Sequence, residues 1–455
     1  MKYKKVLVAN RGEIAVRIIR ALKELDIYSI AIYSVADKSS LHVKLANESV
    51  CIGEGNVEES YLNIYKIISV AKIKKVDAIH PGIGFLAENP IFCDICKYYN
   101  IDFIGPGSEI IQLMGNKCEA KRSVVKFHVP IIPGNLDYIS SLDECYTIIK
   151  KIGLPIVIKA VSGGGGKGIR VVNKMEEVQN AYELCKKEAI SSFSDENVMI
   201  EKYLENTRHI EIQIISDKFG NMIHLGDREC TIQRNKQKMI EESPCSNISD
   251  SLRRKLYDDA MHIAKKCNYV GPGTVEFLVL PDETYYFLEM NTRLQVEHTI
   301  TEMVTGVDIV KEQMRVLGGQ KLSFEQKDIQ IKGYAMQCRI QAEDVKNHFA
   351  PSPGQIKDWN MPGGLGVRVD NGYKLGDFVP PYYDSLLTKI CCFGNSKQEA
   401  VKKMQIALSE TQVGGIKNNI DFLKYIISQN DFLCGNYNEK FIEKLLCEYK
   451  QFSLN

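Results

Sequence analysis

In the stretch FLEMNTRLQVEHT, residues 287–299, acidic, amide and guanidinium side chains recur at every second position. Successive side chains of an extended chain point to opposite faces, so Glu289, Asn291, Arg293, Gln295 and Glu297 share one side and Met290, Thr292, Leu294 and Val296 the other. One face carries only ionic and amide groups, and the question is what they jointly hold. Upstream lies TVEFLVLPDETYYFLEMN. With PDET as a four-residue connection, Leu280 faces Tyr285 and Glu276 falls directly opposite Glu289. Facing carboxylates have Cβ atoms about 5 Å apart and repel. A divalent cation bridging both removes the conflict, and the oxygen-only set Glu276, Glu289 and Asn291 suits Mg²⁺, which completes its shell with phosphates and water. The plainer alternative is an exposed hairpin with two solvated glutamates. Against it, Glu276 lies inside the otherwise apolar VEFLVL, and buried carboxylates are normally compensated.

The glycine run in VIKAVSGGGGKGIRVV lies between two strand-like segments, which reads as a hairpin with a side-chain-free tip. The Walker string G-x-x-x-x-G-K-[ST] is absent. Glycines let backbone N–H groups approach phosphate oxygens, and Lys167 at the tip with Lys159 on the incoming strand would add charge. A phosphate-covering flap accounts for four consecutive glycines better than a plain surface turn does. RHIEIQI sets His209, Glu211 and Gln213 on one face and isoleucines on the other, which alone is equally an amphipathic surface strand. QRNKQKM offers Arg234, Lys236 and Lys238 to an anion, and Arg339 in MQCRIQAE stands on the polar face of another alternating strand.

These groups need elements to hold them. The chain has 455 residues, 44% hydrophobic and 25% charged, with a formal net charge of +1. That is too long for one ordinary core and gives no general attraction to nucleic acid or membrane. No apolar run approaches the roughly 20 residues that span a bilayer, and MKYKKVLVAN enters a strand without a signal-peptide pattern, so a cytoplasmic protein is expected. Cys93 and Cys96 form a CxxC on the helical pattern IFCDICKYY with no second pair at zinc spacing, and read as buried hydrophobes. VLVAN, GEIAVRIIRALKEL, SIAIYS, DAIHPG and FIGPG alternate strands with amphipathic helices, predicting a parallel sheet over about residues 1–105. The first turn, NRGEIA, lacks GxGxxG, so no dinucleotide is assigned to it. A second unit follows over about 131–203, and the remainder is strand-rich, then mixed with a helical end.

The motifs ANRGEIA, HPGIGFLAEN, LMGNK, GGGGKG, EKYLENTRHIEIQ, TVEF, EMNTRLQVEHTITEM, GVDIVKEQ, PSPG and PPYYDS follow one another in the order found in biotin carboxylases of the ATP-grasp family, which the chain resembles over essentially its whole length. The resemblance implies an α/β (α+β) ATP-grasp fold. Its parts would be a Rossmann-like N-terminal domain over 1–115, an ATP-grasp domain over 116–330 with a lid at about 131–203, and a C-terminal domain over 331–455. It implies ATP, bicarbonate and carrier-bound biotin as substrates, with Mg²⁺ or Mn²⁺. Carried over by matched position, Lys117 and Lys159 grip the ATP phosphates, and Gly165 and Gly166 belong to the flap. Glu201, Lys202, Tyr203 and Leu204 form the hinge at the adenine, with His209 and Lys236 near the nucleotide. Glu276, Glu289 and Asn291 match the metal ligands. Lys238, Arg293, Gln295 and Val296 match the bicarbonate pocket, Glu297 the general base and Arg339 the arginine facing the biotin enolate. The chain departs from the family's usual pattern at Asn235 and Lys236, where relatives commonly read RRHQK or RRNQK, and at Ile83 and Ala87, where PGYGFLSEN is usual.

The resemblance also implies partners: a biotin carboxyl carrier protein, carboxyltransferase subunits and a second copy of the chain in a homodimer, with neither nucleic acid nor membrane. Acetyl-CoA carboxylase is the first assembly expected and a two-subunit pyruvate carboxylase or other acyl-CoA carboxylase the second. A nucleotide-binding subunit without catalysis is the alternative from another class.

Overall fold

The protein is described from a computed structural model covering residues 2–161, 168–193 and 195–452. The flap glycines Gly165 and Gly166, with Lys167, lie outside the described residues. Near the N-terminus, Lys5–Val8, Tyr28–Ser34, Glu48–Gly53, Ala78–His80 and Asp102–Phe103 form a five-stranded parallel sheet, ordered third, second, first, fourth, fifth in the chain. Both faces of a parallel sheet are covered, and the alternation in VLVA supplies both. Val6 and Val8 join one apolar cluster while Leu7 and Ala9 join another on the opposite side. The first cluster also contains Ile215, Leu225, Leu294 and Met314 from later in the chain. The parallel unit is therefore fused by its core to the rest.

Residues 142–202 build a small separate layer. Ile169–Val172, Ile156–Ala160 and Val198–Lys202 form a three-stranded antiparallel sheet with the glycine-rich segment connecting the first two in the chain, as the hairpin reading required. Helices Leu142–Ile152 and Val178–Phe193 pack on it around Ile149, Ile158, Cys185 and Ile200. Gly134 bridges this layer at Glu201, and a Cβ there would sit 2.3 Å from the Ile200 carbonyl oxygen, so only glycine permits the approach.

The largest sheet has eight antiparallel strands in the order Tyr285–Asn291, Gly271–Val279, Arg208–Ser216, Met222–Arg234, Gln237–Ser243, Tyr334–Gln341, Leu386–Gly394 and Val367–Asn371. Strands on either side of residue 330 pair directly, Ile240 with Cys338. Arg208–Ser216 is covered on both sides, with its isoleucines in the core and His209, Glu211 and Gln213 also buried. This excludes the amphipathic surface-strand alternative. Cys93 and Cys96 are buried on the helix Pro90–Tyr98, and all fourteen cysteines are free.

Two sequence expectations about the hairpin need correction. Val279, not Leu280, pairs with Tyr285, because the connection runs over five residues, 280–284. A register shift between Glu276 and Phe277 then places Leu288 as an extra residue, and this bulge restores Glu276 opposite Glu289. A bulge sets two residues against one and re-aims the side chains beyond it. Second, the extended stretch ends at Asn291. Residues 292–297 form a bend and turn leading into the helix His298–Thr305.

Candidate active site

The parallel unit, the small layer and the large sheet converge on a cleft of about 370 Å³. Every described residue to which the family resemblance gave a role lines it, while Arg234, offered to an anion by the charge cluster alone, does not. Lys117, Lys159, Glu201, Lys202, Tyr203 and Leu204 form one end, His209, Lys236 and Lys238 the floor, and Glu276, Glu289 and Asn291 the middle. Arg293, Gln295, Val296, Glu297 and Arg339 form the far end. The turn at 292–297 keeps Leu294 in the core and sends Arg293, Gln295 and Glu297 to the cleft as the extended reading predicted, but it also brings Val296 there, which an extended strand would have put on the opposite face.

At the centre is a row of charge set by strand register. Glu289 pairs with Glu276, Glu276 with Glu211 on the next strand, and Glu211 with Arg228 on the one after. Three carboxylates abreast need compensation. Arg228, fully buried, donates from Nε to Glu211 Oε1 at 2.6 Å and also reaches Gln213, Thr274, Gln295 and Thr301. Lys238 Nζ donates to Glu211 Oε2 at 2.5 Å, Glu297 Oε1 at 2.5 Å and Glu276 Oε1 at 3.2 Å. Glu276 Oε1 further accepts from Asn291 Nδ2 and Gln295 Nε2, both at 2.8 Å, and its Oε2 lies 2.8 Å from His209 Nε2. Burial disfavours ionised Glu276, but Lys238 and His209 outweigh it and hold the carboxyl far below its usual range.

Glu289 is different. Among the described residues it has no hydrogen bond or ion pair, and burial, then the facing Glu276, push its carboxyl above the ordinary range. A hard divalent cation bound between the facing carboxylates would relieve that repulsion, and the oxygens of Glu276, Glu289 and Asn291 suit one. Asn291 Oδ1 also accepts from Arg293 Nη2 at 2.9 Å, which joins the cation position to the neighbouring guanidinium.

Glu297 immediately precedes the helix His298–Thr305 but does not cap it, so its carboxylate is available to the cleft. Arg339 Nη2 donates to its Oε2 at 3.1 Å. Burial alone would raise the Glu297 carboxyl, yet Lys238, Arg339 and Arg228 together place it well below the carboxylate range. It is ionised at neutral pH. Burial likewise opposes the charge on Lys238, and the acidic groups of Cys230, Glu211, Glu276 and Glu297 overcome it.

At the opposite end Glu201 forms ion pairs with Lys159, at 2.5 Å, and with buried Lys121. The Lys202 ammonium turns away to the carbonyls of Gly153 and Leu154, at 3.3 and 2.8 Å, so this residue meets the cleft otherwise than by its charge. Asn235 and Lys236 both have positive φ and make the tight turn before Lys238. Arg234 does not join Lys236 and Lys238. It lies over the Phe349 ring and donates to the His348 carbonyl at 3.0 Å, because the turn reverses the chain between the strands and leaves Arg234 over the C-terminal part.

Four contributors escaped the sequence reading. Lys121 follows Lys117 by one helical turn on Lys117–Lys126, a spacing that could have signalled it. Glu211 was visible on its strand, but its placement beside Glu276 depends on long-range pairing. Arg228 lies in an undistinguished GDREC. Glu88, from the parallel unit, accepts from Thr292 N at 3.0 Å and Arg293 Nε at 2.8 Å, and nothing in FLAEN indicates that partner.

Comparison with known proteins matches residues 2–111 to the family described as biotin carboxylase, N-terminal domain, 116–325 to carbamoyl-phosphate synthase L chain, ATP binding domain, and 337–444 to biotin carboxylase C-terminal domain. The chain is 48% identical over 441 residues to biotin carboxylase 1 of Bacillus subtilis, covering 97% of this chain and 98% of that one. It is 47% identical over 442 residues to a pyruvate carboxylase subunit of Methanothermobacter thermautotrophicus, covering 97% and 90%. Its fold matches the biotin carboxylase–β-γ-ATP complex of Campylobacter jejuni with a TM-score of 0.95 at 43% identity, over 97% and 99% of the two chains. It also matches the biotin carboxylase domain dimer of Hydrogenobacter thermophilus 2-oxoglutarate carboxylase, solved with MgADP, ADP and bicarbonate, with a TM-score of 0.95 at 43% identity over 97% of each. A cleft that sets paired acids between lysines at one end and an arginine-flanked glutamate at the other thus lies in a chain that belongs to the biotin carboxylase family.

Proposed function

We propose that this protein carboxylates biotin on a carrier protein, using ATP and bicarbonate through carboxyphosphate. The observation that carries the reading is the contact of ionised Glu297 with both Lys238 and Arg339 beside the Glu276–Glu289 pair. Glu276, Glu289 and Asn291 would hold Mg²⁺ or Mn²⁺, which supplies charge neutralisation at the nucleotide phosphates. Lys117 and Lys159 would hold the phosphates from the lid side, with the flap glycines Gly165 and Gly166 excluding water. The hinge Glu201–Leu204, His209 and Lys236 are assigned to the nucleotide, and the 331–455 part to covering the biotin end.

Bicarbonate would lie on Lys238 and Arg293 with the Val296 main chain. Gln295, tied to Arg228 and Glu276, orders that wall. A bicarbonate oxygen attacks the γ-phosphorus, ADP leaves, and Glu297 takes the bicarbonate proton. Carboxyphosphate then breaks down to CO₂ and phosphate. The phosphate takes the proton from the biotin ureido nitrogen, and the resulting enolate, facing Arg339, attacks CO₂.

The carrier protein, carboxyltransferase subunits and a homodimer belong to the same proposal, the last supported by the dimer of the Hydrogenobacter relative. Acetyl-CoA carboxylase, supplying fatty-acid synthesis, is the assembly favoured. The nearly equal identity to a pyruvate carboxylase subunit keeps that assembly as the second reading. A cytoplasmic setting accords with fourteen free thiols, and no described helix is long and apolar enough to cross a membrane. The test is ADP release with and without bicarbonate and free biotin. Release that requires bicarbonate and rises with biotin is expected. Turnover indifferent to both would instead support the non-catalytic or unrelated nucleotide-binding alternative.

A further inference from the structure

The motif ANRGEIA contains Glu13, which the chemistry above does not use, and the strand Leu386–Gly394 contains Lys389, whose side chain is wholly buried. Lys389 Nζ lies 3.0 Å from Glu13 Oε2 and 3.9 Å from Asp370 Oδ2. Its remaining contact is a hydrogen bond of 2.8 Å to the carbonyl oxygen of Val296. That carbonyl belongs to the peptide joining Val296 to Glu297. The preceding carbonyl, of Gln295, lies 2.7 Å from His298 Nδ1, so the loop ahead of Glu297 is held at two successive carbonyls from behind. The start of the helix Gly12–Glu24 is seated directly against the C-terminal strands, since a Cβ on Gly372 would fall 2.7 Å from the Glu13 nitrogen. A buried ammonium is retained where its charge is matched and its donors are used. Here the match comes from the parallel unit and the donor is spent on the reaction loop.

We propose that Lys389, with Glu13 as its counter-ion, is a positioning residue that fixes the Val296–Glu297 peptide so that the Glu297 carboxylate meets Lys238 and Arg339. The inference rests on Glu297 being the base for bicarbonate. It also accounts for the NRGEIA turn, which anchors a lysine behind the catalytic loop in place of a dinucleotide phosphate. Small misplacements of a reacting group are costly in rate while leaving a remote binding site intact.

The experiment compares full-length wild type, Lys389→Met and the charge-neutral pair Glu13→Gln with Lys389→Met, measuring ADP release against bicarbonate and ATP, with thermal midpoints. The expected result is a fall in kcat for bicarbonate-dependent release of about 10- to 100-fold. The KM for ATP should stay within about twofold in the same variants. If Lys389→Met leaves Glu13 unpaired and fails to fold, the double variant carries the measurement. Wild-type kcat in a folded double variant overturns the proposal, as does a parallel loss of kcat and ATP affinity. A double variant that does not fold also overturns it, because the pair then serves the fold and not the loop. Wild-type turnover that ignores bicarbonate would remove the functional reading beneath it, a result separable from all of these.

Discussion

Lys238 and Glu297 meet at 2.5 Å, although one stands on the sheet floor and the other on a turn 59 residues later. The contact keeps Glu297 ionised and gives Lys238 a donor direction into the cleft. Glu297→Gln keeps the shape and removes the carboxylate proposed as the base. ATP binding should be nearly unchanged by calorimetry, while bicarbonate-dependent ADP release falls about 10²- to 10⁴-fold.

Arg339 has two partners, Glu297 at 3.1 Å and buried Glu241 at 2.6 Å from Nε. Arg339→Ala should lower carboxylation of free biotin by about 2.7 to 4 kcal/mol of barrier, the scale of one lost oxyanion donor. ATP affinity should change far less. Equal losses in both assays would remove Arg339 from the biotin end.

Glu289 governs the response to pH. Burial and Glu276 raise its carboxyl, so in the metal-free protein its protonated form contributes stability that is present below the usual carboxylate range and lost as pH rises through the raised value. A divalent cation must displace that proton. Mg²⁺ affinity should therefore weaken as pH falls through that raised value, by about tenfold per unit once Glu289 is protonated. The Mg²⁺-induced gain in Tm should grow with pH over the same interval, and chelation should abolish ATP turnover. A gain that is flat with pH would exclude Glu289 as a ligand.

Glu88 fixes Thr292 and Arg293 from the parallel unit and is itself partly exposed. Its replacement should spare the fold. Glu88→Ala is expected to raise the KM for bicarbonate by about tenfold, one lost charge-assisted contact, with the ATP constant unmoved in the same steady-state series.

Arg228→Met would leave Glu211 without its main counter-charge inside the sheet. The expected cost is about 3 to 5 kcal/mol of stability, read as a lower denaturant midpoint at unchanged slope. Replacing Glu211 by Gln in the same chain should recover part of it.

The legibility of the site differs residue by residue. Alternation in FLEMNTRLQVEHT identified Arg293, Gln295 and Glu297 as sharing a face, because a two-residue period is local and survives a bend when an apolar position such as Leu294 is pulled into a core, but it misplaced Val296, which the turn at 296–297 carries to the cleft. The opposition of Glu276 and Glu289 was reached through a register that was one residue off at Tyr285. The bulge at Leu288 that restored it has no signature in YYFLEMN, since an extra residue is selected by how two strands twist against a third.

Motif order and periodicity, both contained in neighbouring residues, were enough to determine the family resemblance, the parallel sheet near the N-terminus, the hairpin that carries the glycine run and many of the acids and cations that line the cleft. What folding alone decided was which charge neutralises which. Glu211 beside Glu276, Arg228 beneath them, Glu88 on Arg293 and Lys389 behind Val296 all join residues whose separation in the chain says nothing of their distance in space. Desolvated charge has to find a partner, and in a sheet of eight strands that partner is chosen by register and packing.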